Sequence, residues 1–239
     1  MVSLSASSTN TLPPAFAQAA HAPLCTDSIL LADFVRPERA ARGVDLGCGS
    51  GILALLLLHR ARGLRMTGLE LLPEAAELAR ENLARNDLEE RSEILCGDIR
   101  AHRALFPAGG FDLAVANPPY FPVERGALSP DPDRATARGE LTCSLEELCA
   151  AAQWLLRTGG SFCLVHKPER LAEIFVSMSG HGLEPKRLRL VCPREGTAPS
   201  LVLVEARRGG KPGLRIEPPL VLTDPEGAES GEIKRIYHR

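Results

Sequence analysis

The sequence predicts an α/β fold: a doubly wound, mostly parallel sheet whose last strand runs antiparallel. Short apolar runs alternate with helical ones along the chain, as a parallel sheet with crossover helices requires. The first such run passes directly into a glycine-rich turn, Gly47-Cys48-Gly49-Ser50-Gly51, and then into a helix. The fourth, Phe111 to Ala116, ends in Asn117-Pro118-Pro119-Tyr120 and a long polar loop. In open α/β sheets, ligands gather at that end of the strands.

Taken in order, residues 1–20 are rich in Ser, Thr, Ala and Pro without periodicity and are expected to form a mobile arm. Thr26-Asp27 ahead of Ile29-Leu30-Leu31 marks a helix start. Gly43 to Leu46 reads as the first strand, and Ile52 to Arg60 as the helix after the glycine turn. Arg65 to Leu69 is the second strand, ending at Glu70; Pro73 opens a helix to about Asn86, since proline in a first turn forfeits no hydrogen bond. Ser92 to Cys96 is the third strand, followed by Gly97-Asp98.

Beyond the Asn-Pro-Pro-Tyr tetrad, Phe121 to about Cys143 holds Pro122, Gly126, Pro130, Pro132 and Gly139 with no period, a loop long enough to be expected as a substrate lid. Ser144 and Glu147 form a capping box that opens a helix with Leu145, Leu148, Ala152, Leu155 and Leu156 on one face, up to Gly159-Gly160. Gly160 to Val165 is the fifth strand. Pro168 starts a helix with Leu171, Ile174, Phe175 and Met178 inward; Arg187 to Val191 and Leu201 to Val204 close the sheet. Residues 21–208 are therefore expected to form one domain. Residues 209–239, Pro/Gly-rich and acidic from Glu217, are expected to form a tail with little to bury.

A composition of 44% hydrophobic and 24% charged residues fits a soluble globular protein, and the net charge of -2 points to no global attraction for nucleic acid. The balance is local. Lys186, Arg187, Arg189, Arg194, Arg207, Arg208, Lys211 and Arg215 face only Glu195 and Glu205 within their stretch, a candidate phosphate-facing surface. The seven cysteines are dispersed, with no C-x-x-C pair and no metal spacing, so reduced thiols and no metal are expected. Ala17-Gln18-Ala19-Ala20 resembles a leader cleavage site, but no Lys or Arg precedes Arg36 and Pro13-Pro14 interrupts the apolar core, so a cytoplasmic location is expected. No apolar run approaches the roughly 20 residues needed to span a bilayer.

Carboxylates recur at the strand ends: Asp45 in the first, Glu70 after the second, Asp98 after the third. An acid about 20 residues past a glycine turn is placed to accept from ribose hydroxyls, in a dinucleotide enzyme as in others. The turn itself differs, because Gly47-x-Gly49-x-Gly51 followed by Ile52 lacks the G-x-G-x-x-G spacing of a pyrophosphate turn. An amide, two rigid prolines and an aromatic ring suit the task of holding a flat amino group. The Asn117 side-chain oxygen and the Pro118 carbonyl can accept its N–H bonds, and Tyr120 can stack on an extruded base.

Val44-Asp45-Leu46-Gly47-Cys48-Gly49-Ser50-Gly51, with Glu70, Asp98 and Asn117-Pro118-Pro119-Tyr120, resembles the class I S-adenosylmethionine-dependent methyltransferases that modify planar amino nitrogens. The resemblance implies a Rossmann-like methyltransferase sheet. It implies that Thr26, Asp27, Asp45, Gly47, Cys48, Gly49, Gly51, Glu70, Leu71, Asp98, Ile99 and Asn117 line the cofactor, with Glu70 on the ribose and Asp98 on the adenine amino group. The flanks Thr26-Asp27-Ser28-Ile29-Leu30-Leu31, Ala137-Arg138-Gly139-Glu140, Val165-His166-Lys167-Pro168-Glu169-Arg170-Leu171, Glu184-Pro185-Lys186-Arg187 and Pro218-Pro219-Leu220 are similar to the bacterial valine-tRNA adenosine-37 N6-methyltransferase family. That family implies a tRNA substrate met by Tyr120, Phe121, Arg138, Lys186 and Arg187. Its tail tyrosine is Ser230 here. Two other readings stay open: a glutamine N5-methyltransferase acting on release factors, and a guanine N2-methyltransferase of ribosomal RNA. His166 is expected to be a structural histidine rather than a base.

Overall fold

The computed structural model describes residues 26–119 and 143–237. Its frame is a sheet of β1 (Arg42–Leu46), β2 (Arg65–Glu70), β3 (Ser92–Cys96), β4 (Phe111–Ala116), β5 (Leu156–His166), β6 (Leu183–Cys192) and β7 (Leu201–Arg208) in the order β3-β2-β1-β4-β5-β7-β6. The first five run parallel, and β7 runs antiparallel to both neighbours. Strand order reverses between β1 and β4. That reversal opens a crevice at their carboxyl ends, the place where doubly wound sheets bind ligands.

Side chains alternate across a strand, and the alternation assigns the two cores. Leu113, Val115, Cys163 and Val165 face a layer made by α1 (Thr26–Phe34), α2 (Ile52–Arg60), α3 (Pro73–Ala84) and α7 (Gly231–Tyr237). Val44, Leu46, Ala114, Ala116, Phe162 and Leu164 face α5 (Leu145–Leu155) and α6 (Leu171–Gly180), with the short α4 (His102–Leu105) at that layer's edge. Buried residues occur around most of α1, because it packs on α2, on the sheet and on α7 at once. The Ser144–Glu147 capping box is present, each side chain bonded to the other's backbone N–H.

The structure departs from expectation in three places. The helix ahead of Gly159-Gly160 stops at Leu155 and β5 starts at Leu156; a bulge takes up the glycines, so that Phe111 pairs with Leu156 and Leu113 with Ser161. The basic stretch is no free surface at Arg187. A register shift between Pro185 and Arg187 turns that side chain inward, where it bonds Glu205 at 2.5 Å and Glu217 at 2.9 Å and lies 4.1 Å over the Phe34 ring. The tail, expected to bury little, adds β8 (Arg215–Ile216) and β9 (Leu220–Val221) to β6 and then forms α7, burying Leu220, Ile233 and Ile236. Ser230 caps α7, its Oγ accepting from the Ile233 N–H at 3.2 Å. The expected arm 1–20 and the lid 121–142 lie outside the described residues.

Candidate active site

The turn after β1 is built by backbone geometry that favours glycine: φ is 76° at Gly47, 52° at Gly49 and 81° at Gly51. At Gly51 a Cβ would also meet the Ala79 Cβ at 3.1 Å, so the residue lets α2 and α3 close together. At Gly47 and Gly49 an added Cβ would meet nothing within 4 Å among the described residues. Among those residues the turn leaves its outer side open, as a ligand cradle must. It is tied down from behind, with the Gly47 and Cys48 amides donating to Leu69 O at 2.8 and 3.2 Å. The Glu70 carboxylate spans the crevice floor, accepting from Gly49 N at 2.8 Å and from Leu72 N at 3.0 Å. Among the described residues no side chain caps the start of α2, so its first N–H groups give the cradle a positive potential.

Asp45 lies beneath that turn. It alternates with Val44 and Leu46, which pack into the α5 core, so its side chain falls on the α2 face. It is 1% exposed, and neither carboxylate oxygen has a hydrogen-bond partner among the described residues. Burial pushes its carboxyl up to about 7; the Glu70 charge adds to the rise, and the nearby Ala54 N–H draws it partly back. A buried acid without partners is costly. A bound cation would remove that cost.

Asp98 follows β3. Its Oδ1 accepts from the Arg100 N–H at 2.8 Å, and the Arg100 guanidinium beside it holds the carboxyl below the usual carboxylate range, despite an opposing contribution from burial. Leu71 and Ile99, both half-buried, flank the same edge. Cys48 is buried against Gly68, and burial pushes its thiol far up, which suits packing rather than nucleophilic attack.

Asn117 leaves β4 across the crevice. Asp45 pairs with Val115, so Asn117, two residues further on, stands level with Gly47. Its Nδ2 donates to Ser28 Oγ at 2.9 Å, a partner in the first turn of α1 that sequence reasoning missed. The only hint was a hydroxyl residue at the head of an apolar helix. Thr26 and Asp27 precede Ser28 at the same mouth. Pro118 is half-buried and Pro119 exposed. Tyr120, Phe121 and Arg138 lie outside the described residues.

Other expected residues fall elsewhere. Lys186 donates to Lys211 O at 2.9 Å, and pairing of Arg207 with Ser161 and of Leu183 with Arg208 puts this end of the basic stretch at the amino ends of the parallel strands, away from Asn117. Arg187 is level in register with Asp45 but four strands away across the sheet and engaged by Glu205 and Glu217, so neither it nor the adjacent Lys186 is brought to the crevice. His166 is buried, chiefly burial lowers it to about 4, and its Nδ1 accepts from Lys167 N at 2.8 Å. It is neutral at physiological pH, as a structural histidine is. Among the described residues no group could hold a metal ion, and no helix is long and apolar enough to cross a membrane.

The same fold recurs in solved structures: a crystal structure described as a predicted O-methyltransferase from Agrobacterium tumefaciens superposes with a TM-score of 0.73 at 25% identity, covering 89% of this chain and 95% of that one. The fold is that of the Rossmann-like methyltransferases. Residues 11–178 match the family described as the methyltransferase small domain. Relatives named tRNA1(Val) (adenine(37)-N6)-methyltransferase include one from Bacteroides fragilis, 34% identical over 75% of this chain and 74% of its own, and one from Tolumonas auensis, 33% identical over 87% and 84%. The chain belongs to that methyltransferase family.

Proposed function

We propose that this enzyme transfers a methyl group from S-adenosylmethionine to N6 of an adenosine in RNA, at position 37 of a valine tRNA. The observation that carries the reading is the juxtaposition, on the adjacent strands β1 and β4 at the switch point, of a buried carboxylate, Asp45, without a hydrogen-bond partner among the described residues, and the Asn117-Pro118 acceptors that begin two residues beyond its β4 partner Val115. The names of the relatives supply the tRNA and the position.

The residues present fit the cofactor. Asp45 would accept from its ammonium group, and the turn at Gly47 and Gly49 would allow close approach of the methionine portion. Glu70 has lone pairs beyond its two backbone bonds that would serve the ribose hydroxyls. Asp98, held ionised, would accept from the adenine amino group, and Leu71, Ile99, Cys48, Gly51, Thr26 and Asp27 would line the rest of the site. When bound, the cofactor supplies an electrophilic methyl group on its sulfonium sulfur.

The chain's part is to present the amine. An exocyclic amino group shares its lone pair with the ring and is a weak nucleophile. With Asn117 Oδ1 and the Pro118 carbonyl accepting its two N–H bonds, the lone pair turns toward the methyl carbon, and the acceptors stabilise the positive charge that grows on nitrogen. The methylated aminium loses its proton to water without a protein base; His166, neutral and buried, is not asked to serve. Tyr120 stacks on the base.

Asn117→Ala tests this division of labour. Cofactor affinity by calorimetry should stay within about threefold of the parent, whereas methyl transfer should fall by about a hundredfold or more. Transfer retained within a few-fold would refute the acceptor role.

A further inference from the structure

We propose that Ser28 is a positioning residue for methyl transfer: by accepting the Asn117 Nδ2–H, its hydroxyl oxygen anchors the Asn117 amide and holds Oδ1 toward the amine. The inference rests on the functional reading above and deepens it. The terminal torsion of Asn is broad and roughly two-fold, so the direction of Oδ1 is loosely set by the covalent geometry alone. Each partner the amide gains narrows the range over which Oδ1 swings.

Ser28 is placed to do so. The Nδ2 to Oγ distance is 2.9 Å, across elements 89 residues apart in sequence. Ser28 is 4% exposed, so water competes poorly for the amide. It is followed by Ile29, Leu30 and Leu31, all buried in the α1 core, and a hydroxyl adds nothing to that packing. The position of α1 is itself fixed at both ends. Tyr237 Oη donates to Thr26 Oγ1 at 3.3 Å beside Ser28, and the Arg187 guanidinium donates to Phe34 O at 3.3 Å at the far end. A rigidly mounted hydroxyl holds its partner within a narrow range of geometry, which is what in-line displacement rewards.

The test compares the full-length parent with Ser28→Ala and Ser28→Thr by two readouts. The first is the side-chain amide resonance pair of Asn117, identified by its loss in Asn117→Asp. In Ser28→Ala the pair should shift and exchange with solvent faster; in Ser28→Thr, which keeps an oxygen there, it should return toward the parent. The second is steady-state methyl transfer from S-adenosylmethionine to a valine tRNA transcript. Ser28→Ala should lower kcat about tenfold, the effect of one neutral hydrogen bond, with KM for both substrates unchanged, and Ser28→Thr should restore it. An unchanged Asn117 pair in Ser28→Ala would overturn the proposal, as would a kcat within twofold of the parent. A raised KM with kcat intact would also overturn it, because that is the mark of a displaced α1. Absence of transfer by the parent itself would count against the functional reading, and the amide resonances would then decide the role of Ser28 alone.

Discussion

Asp45 concentrates the physics of the site in one side chain. Its carboxyl is raised to about 7 in the folded chain from an ordinary 3.8, so between these values the folded state binds the extra proton. Stability of the ligand-free enzyme must therefore fall as pH rises from about 4 through 7, by up to roughly 4 kcal/mol. Asp45→Asn should remove that slope and raise the ligand-free Tm at pH 8 by several degrees, while weakening cofactor binding; chemical denaturation at pH 5 and pH 8 checks the first, calorimetry the second. Equal slopes in parent and variant would show that Asp45 is not the orphaned group. Asp45, Glu70 and Asn117 stand out in the sequence because each lies at or next to the end of a short apolar strand, and strand ends in such a sheet converge. Ser28 was not, because its meaning depends on a partner 89 residues away that no periodicity announces.

Arg187 shows the same limit among elements. Read locally it is one more cation in a basic run, with strand alternation free to place it on either face. The register shift between Pro185 and Arg187 decides the matter, and the guanidinium becomes the peg that joins β7 through Glu205, the tail through Glu217 and α1 through Phe34 O. Burial is the largest single influence on it and weakens its hold on the proton, but the ion pairs with Glu217 and Glu205 together outweigh burial and strengthen that hold. Arg187→Met would strand two carboxylates whose side chains are only 8% and 14% exposed, which should cost about 3 kcal/mol or more and lower Tm by roughly 10 °C. A loss below 1 kcal/mol in denaturant unfolding would mean that the tail is not anchored there. The bulge before Ser161 escaped the sequence for a related reason: Gly159-Gly160 reads as a helix stop, yet paired against β4 it extends a strand. The tail was misread because strands as short as Arg215–Ile216 and Leu220–Val221 leave no period to detect.

At the scale of the whole molecule, the strand order β3-β2-β1-β4-β5 places every element of the chemistry at one edge. The glycine turn follows β1, Glu70 ends β2, Asp98 follows β3 and Asn117 follows β4, so the residues proposed for the cofactor and for the amine fall along a single crevice on the two sides of the switch point. That edge was legible, since alternation of strands and helices specifies a parallel sheet and a parallel sheet aligns its carboxyl ends. The end of the sheet on which Arg207 and Arg208 fall was not, because it depends on the antiparallel course of β7 and on the pairing of Leu183 with Arg208. Function is decided most directly by methyl transfer from labelled S-adenosylmethionine to an unmodified valine tRNA transcript and to the same transcript carrying guanosine at position 37, each digested for nucleoside mass spectrometry. The expected result is N6-methyladenosine from the adenosine transcript and no label in the other; label at another base, or none in either with cofactor bound, would contradict the assignment.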